Sequence, residues 1–176
     1  MGDPKKIRKK YSPPSHPWQR ARIDAEKIIV KEFGVKNKKE IWKMEATLRS
    51  FTGQAKKLIT ATTKQALLEK QNLIKRLQKY GFVGTEATID QILGLTLKDI
   101  MSRRLQTIVL KKGLATTVRQ ARQMITHKHI IVGDKKISSP SYLVSLEEEA
   151  TIAFATSSGF FKEDHPERVK KSQPKK

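Results

Sequence analysis

The chain has 176 residues, with 37 Lys and Arg against 17 Asp and Glu and a formal charge of +20, so self-repulsion is severe without a polyanionic partner, and nucleic acid is the expected one. A hydrophobic fraction of 37% lies below the roughly 45–50% of ordinary globular domains, which allows a modest core and argues against one large one. The lack of cysteine excludes disulfides, a thiolate nucleophile and cysteine-ligated zinc. No stretch reaches the roughly 18 apolar residues of a membrane span, and the N-terminus lacks the apolar core of a secretion signal, so the expectation is a soluble, cytoplasmic protein without a membrane partner.

Residues 1–14 form a basic arm carrying Lys5, Lys6, Arg8, Lys9 and Lys10 among three prolines. That composition is too polar to collapse and cannot continue a helix. It reads as a solvated tail in the free protein that orders on RNA through phosphate contacts, with Tyr11 free to stack. Residues 15–101 read as helical. Pro17 suits a first helical turn and predicts a helix from Trp18 to Phe33 closed by Gly34, bearing Arg20 and Arg22. Trp18 is either a base-stacking ring or a core aromatic. Asn37 and Glu40 fit a capping box ahead of a long helix with Ile41, Met44, Leu48, Phe51, Ala55 and Leu58 on one face. The basic set of this helix is Lys38, Lys39, Lys43, Arg49, Lys56 and Lys57, whose excess over acids favours RNA contact. Lys64–Tyr80 follows as a helix stopped by Gly81, then a short one at Ile89–Leu93 capped by Thr88.

Thr96 and Asp99 fit another capping box, and the helix they open is expected to run past Leu105, Ile108 and Val109 to a close at Lys111, Lys112 and Gly113. Arg103 and Arg104 would then project from its middle. In the next helix, Thr117 should accept from the Gln120 N–H while the Gln120 side chain returns to the Thr117 N–H. Val118, Ala121, Met124 and Ile125 supply a buried stripe there, turning Arg119, Arg122, Gln123 and Thr126 to solvent. After His129 the period becomes that of strands: Ile130–Val132, a Gly133-Asp134 turn, Lys135–Ile137, and Thr151–Phe154 after a Ser/Pro turn, with Glu147–Glu149 read as a turn. The fold class is α+β, a helical N-terminal half followed by a small module of two helices on a short sheet over residues 102–156. A charged, flexible tail at 157–176 completes the chain.

The order helix, loop, helix, hairpin, strand, with RRL, the TT capping turn, RQAR, HKH and VGDKKI in register, resembles the S-four RNA-binding domain. That resemblance implies RNA contacts from Arg103, Arg104, Gln106, Thr107, Thr117, Arg119, Gln120, Arg122, Gln123, His127, Lys128 and Lys135; Lys111 and Thr126 are added from the same cationic face. Gln106 stands where many members carry Asp. In the first half, GDPKK, RKKY, PPSHPW and GVKNKKEIWKMEATLRSFTGQAKKLI resemble the archaeal and eukaryotic branch of the small-subunit ribosomal protein S-four family. Membership implies a structural RNA-binding protein that docks early on a junction of small-subunit (16S) ribosomal RNA, contacts ribosomal protein S-five and contributes to decoding accuracy. The zinc that some bacterial relatives hold through N-terminal cysteines does not carry over.

Catalysis finds no support in the residues. GxxxxGK[ST], GxGxxG and HExxH are all missing. His127 and His129 are two apart and cannot share a helix face, so a polar helix end with an RNA-contacting ring outweighs metal chelation. Glu163, Asp164 and His165 read as a solvated tail cluster. No cofactor, metal or small-molecule substrate is expected. The alternatives are a free-standing RNA chaperone and, more remotely, a subunit of an RNA-modifying enzyme, which would need a large further domain.

Overall fold

The computed structural model describes residues 8–84 and 88–162, together with Gly2 and His165. Lys5 and Lys6 of the basic arm, and Glu163, Asp164 and the last eleven residues of the tail, lie outside the described residues.

Three helices build the first half: α1 (Arg20–Phe33), α2 (Lys38–Thr60) and α3 (Lys64–Lys79). The predicted stripe on α2 faces inward, with Ile41, Met44, Phe51 and Ala55 buried and Leu48 and Leu58 partly so. Helices α1 and α3 pack on it together with the short α4 (Ile89–Leu93) and α5 (Leu97–Ser102). This places α2 at the centre of a first core that also holds Phe33, Leu73, Leu77, Ile92, Ile100 and Met101. Helix α1 starts two residues later than expected. Trp18 is left 91% exposed, which removes the core reading of that ring. Tyr11 is half-buried with its ring 6.3 Å from that of Trp42, so this part of the arm lies on the helices.

The second core is formed by α6 (Leu105–Lys111), α7 (Val118–Thr126) and a three-stranded antiparallel sheet ordered β2 (Lys135–Lys136), β1 (Ile130–Val132), β3 (Ile152–Phe154). Register pairs Val132 with Lys135 across the hairpin and Ile130 with Phe154 on the other edge. Alternation then buries Ile130, Val132, Ile152 and Phe154 on the face that meets Leu105, Val109, Met124 and Ile125. The mixed α+β class expected from the sequence is what the chain adopts.

Three segments here differ from expectation. The helix opened by Thr96 stops at Ser102 and resumes at Leu105. Arg104 is extended at φ −70°, ψ 143° and bridges to Leu143. The returning 139–144 segment explains the break: Tyr142 O accepts from Leu105 N–H at 2.8 Å and Arg103 O accepts from Val144 N–H at 3.1 Å, satisfying groups that a continuous helix would have paired within itself. The acidic run forms a helix, α8 (Leu146–Thr151), where a turn was expected. Ser145 Oγ accepts from Glu148 N–H at 3.2 Å and Glu148 Oε2 from Ser145 N–H at 2.9 Å, a complete capping box with three glutamates on the positive end of the helix. The tail also begins in order, since Gly159–Phe161 makes a 3₁₀ turn and sets Phe160 5.0 Å from the His129 ring and 6.1 Å from Phe154.

Helices α3, α6 and α7 close with the same pair of hydrogen bonds around a left-handed residue. At α6 the residue is Gly113, φ +72°, with Gly113 N–H to Leu110 O and Leu114 N–H to Val109 O. At α7 the pair is Lys128 N–H to Ile125 O and His129 N–H to Met124 O. There the left-handed position is taken by Lys128 at φ +61°, the sole non-glycine of positive φ among the described residues.

Candidate nucleic-acid interface

Helix α7 presents what the stripe predicts. Ala121, Met124 and Ile125 are buried and Val118 half-buried, while Arg119, Gln123, Thr126, His127 and Lys128 are exposed. Thr117 caps the helix by accepting from Gln120 N–H at 3.2 Å. The reciprocal bond falls one residue earlier than expected: Gln120 Oε1 accepts from the N–H of Thr116 at 2.7 Å and from its hydroxyl at 2.6 Å. Lys111 and Lys112 at the end of α6, and Lys135 and Lys136 on the hairpin, are likewise exposed. A cleft of about 590 Å³ runs between the end of α1 and the start of α7, with Lys31, Lys36, Thr117, Arg119 and Arg122 on its walls. Gly34 also lines this cleft, at φ +57°, where an added Cβ would lie 2.7 Å from Val118 Cγ1.

Two of the expected RNA contacts, Arg104 and Gln106, are buried in the protein, and two more, Arg103 and Thr107, are partly buried and bonded within it. Arg104 is 1% exposed and donates to Glu40 Oε2 at 2.5 Å. Gln106 is equally buried; its Nε2 reaches the carbonyls of Gly34 at 3.2 Å and Val118 at 3.0 Å. Arg103 is engaged with Glu149 at 2.6 Å and the Val144 carbonyl at 3.1 Å. The Thr107 hydroxyl donates to Met101 O at 2.9 Å. The break between α5 and α6 is the cause, because it turns the Arg103–Gln106 stretch into the seam between the two cores. Arg122 is intermediate: 23% of its side chain is exposed, and its guanidinium grips Glu40 through Nη1 at 3.2 Å and Nη2 at 2.7 Å.

Glu40 is therefore the hub of the seam, and the capping box expected of it with Asn37 does not form, since Asn37 makes no side-chain cap. Burial by itself would raise the Glu40 carboxyl, but hydrogen bonds from Arg122 and Arg104 outweigh it and hold the group below its ordinary 4.5. A comparable site anchors the start of the chain. Buried Glu26 accepts from Arg22 at 2.5 Å and from Trp42 Nε1 at 3.1 Å and pairs with Lys38 at 3.0 Å, so Arg22 and Lys38 are engaged internally; Arg22 also clasps the carbonyls of His16 and Pro17. Glu26 too is held low: burial opposes its ionisation, and its hydrogen bonds from Trp42, Lys38 and Arg22 prevail. Near α8, Tyr142 donates to Glu148 at 2.7 Å, which with burial pushes the phenol up to about 12.

Of the remaining expected cations, Arg49 pairs with Glu45 at 2.6 Å and Arg20 loosely with Asp24 at 3.8 Å, both on the surface. Arg8, Lys9, Lys10, Lys39, Lys43, Lys56 and Lys57 are exposed. Sequence reading passed over Lys31, Lys36, Lys112 and Lys136. The close approach signalled by Gly34 is what brings Lys31 and Lys36 to α7, and nothing local to them shows it. The two histidine rings lie 6.2 Å apart in a stacked arrangement, with His129 Nδ1 2.8 Å from Ser158 Oγ and His127 exposed.

The S4 domain family matches residues 103–149, the stretch from the helix break to α8. Over 170 residues the chain is 50% identical to the small ribosomal subunit protein uS4 of Methanococcus aeolicus, and 48% identical to the proteins of the same name from Methanococcus maripaludis and Methanococcus vannielii, each alignment covering 96% of both chains. The chain belongs to the uS4 family. Within this uS4 chain the S4 domain match begins at Arg103, and its first arginines are the ones that face Glu40 and Glu149 rather than solvent. No helix among the described residues is long and apolar enough to cross a membrane.

Proposed function

We propose that this chain is a structural constituent of the small ribosomal subunit, holding ribosomal RNA by phosphate neutralisation and by the shape of its surface. The observation that carries the reading is the match along 96% of the chain to proteins named for that subunit. Exposed cations without an ion pair to any described residue, Lys39, Lys43, Lys56 and Lys57 on α2, Arg119 on α7 and Lys128 just beyond its end, support it, because each can displace a counterion from RNA. The further parts of the proposal are docking on a junction of 16S ribosomal RNA early in assembly, contact with ribosomal protein S-five, a contribution to decoding accuracy, and a cytoplasmic, non-catalytic role. The face assigned to RNA is Lys111, Thr117, Arg119, Arg122, Gln123, Thr126, His127, Lys128 and Lys135. Trp18, standing free of the core, is assigned to stack on a base.

The test is binding of the full chain to a transcript of the small-subunit RNA junction at a series of salt concentrations. With about six to eight phosphates contacted, the log-log slope is expected between roughly −4 and −7. A slope near zero overturns the electrostatic mechanism.

A further inference from the structure

Arg122 sits between two basic clefts. On one side is the cleft lined by Lys31, Lys36 and Arg119; on the other, about 290 Å³ in volume, one lined by Lys39, Lys43, Ser141 and Glu40. The first joins α1 to α7, and the second joins α2 to the loop before α8. Both cross the seam between the two cores. The two terminal nitrogens of Arg122 fork onto Glu40, and Nη1 also approaches Gln106 Oε1 at 3.4 Å. A guanidinium has five N–H donors, and three are accounted for by these bonds. Glu40 in turn is fixed by Arg104 from the helix break, and Gln106 ties the same node to Gly34 and Val118. The end of α1, the start of α2, the α5–α6 break and α7 are therefore joined by one hydrogen-bonded network around the Glu40 carboxylate.

We propose that Glu40 is a positioning residue for RNA binding: it fixes Arg122 at the crossing of the two clefts and sets the helical half and the S4 domain at the angle that lets one phosphodiester backbone run across both. The inference rests on the RNA-binding reading above and adds to it a role for an acidic side chain. Arg104 and Arg122 bring two positive charges to the one negative charge of Glu40, so the node stays cationic while the carboxylate supplies geometry, as a bidentate fork does and a point charge cannot.

The consequence runs against simple electrostatics. In a chain of net charge +20, removing one negative charge should tighten binding to any RNA. If Glu40 positions Arg122, Glu40→Gln weakens binding to the ribosomal RNA junction roughly ten-fold and leaves binding to an unrelated RNA duplex of equal length unchanged or tighter. Arg122→Lys, which keeps the charge and loses the fork, is expected to show the same loss of junction preference; it is read alone should Glu40→Gln fail to fold by its thermal transition. Junction preference at the parental ratio in the folded variants overturns the positioning role, even where the parent binds the junction well. A parent chain that does not distinguish junction from duplex overturns the RNA-docking reading itself, and the positioning role with it.

Discussion

On α2, Lys39, Lys43, Lys56 and Lys57 stand in solvent and make no ion pair with a described residue, whereas across the seam Arg103, Arg104 and Arg122 are all bound to carboxylates of this same chain. The two regions carry similar charge on similar helical spacing. What separates them is the surroundings of each element: α2 lies with one face on the first core and the other in water, while the stretch from Arg103 to Gln106 is pinned between α2, α7 and the 139–144 segment. A cation enclosed as Arg104 is, 1% exposed, must have its partner inside the protein, because an unpaired buried charge is too costly, whereas Arg122 meets Glu40 and still lines both clefts. Basic residues in an RNA-binding protein are thus of two kinds, and charge alone does not tell them apart.

The sharpest way to break that distinction is to remove one of each kind. Arg104→Ala should destabilise the fold by about 3 kcal/mol, since it empties a buried site and strips Glu40 of one partner. Arg119→Ala, on the exposed face, should change stability by less than about 0.5 kcal/mol while weakening RNA binding. Chemical denaturation of both variants, set beside their affinity for the junction, decides it. Equal stability losses would erase the division between seam and surface.

Acid titration sharpens the same contrast with a smaller effect. The Glu40 carboxyl is held below its ordinary 4.5 in the folded chain, so its contribution to stability is present above that value and is lost as pH falls through the lowered one. Thermal midpoints should therefore drop below about pH 4.5 more steeply in the parent than in Glu40→Gln. Equal acid profiles for the two chains would place the acid sensitivity elsewhere, at Glu26 or Glu148, both also held low.

The smallest effect is expected at Lys128. A left-handed lysine occupies the position that glycine holds at the ends of α3 and α6, and backbone strain of this kind persists where the surrounding structure enforces it. Lys128→Gly should stabilise the chain by about 0.5–1 kcal/mol, lower RNA affinity, and reduce the magnitude of the salt slope by about 1. A more stable variant with parental affinity would remove Lys128 from the RNA face.

Much of the local structure was readable in advance. The stripes on α2 and α7, the closing glycines at 34, 81 and 113, the Gly133-Asp134 turn and the cap at Thr117 all rest on interactions within a few residues, which sequence order displays directly. Ser145 with Glu148 carried the same kind of signal and marks α8 just as clearly as Thr117 marks α7.

The charge and residue pattern by itself determined that this is a basic α+β chain with an S-four-type module and a free cationic face on α7. Only the tertiary structure decided which arginines belong to that face. Arg104 meets Glu40 across 64 positions of sequence, and Arg122 meets it across 82; pairings at such separations depend on how α2 packs against the module, and a capping-box spacing at Asn37 and Glu40 gives no sign of them. The helix break at Arg103–Arg104 has the same origin, because the carbonyl that replaces the helical partner of Leu105 comes from Tyr142, a residue that lies beyond the whole hairpin in sequence.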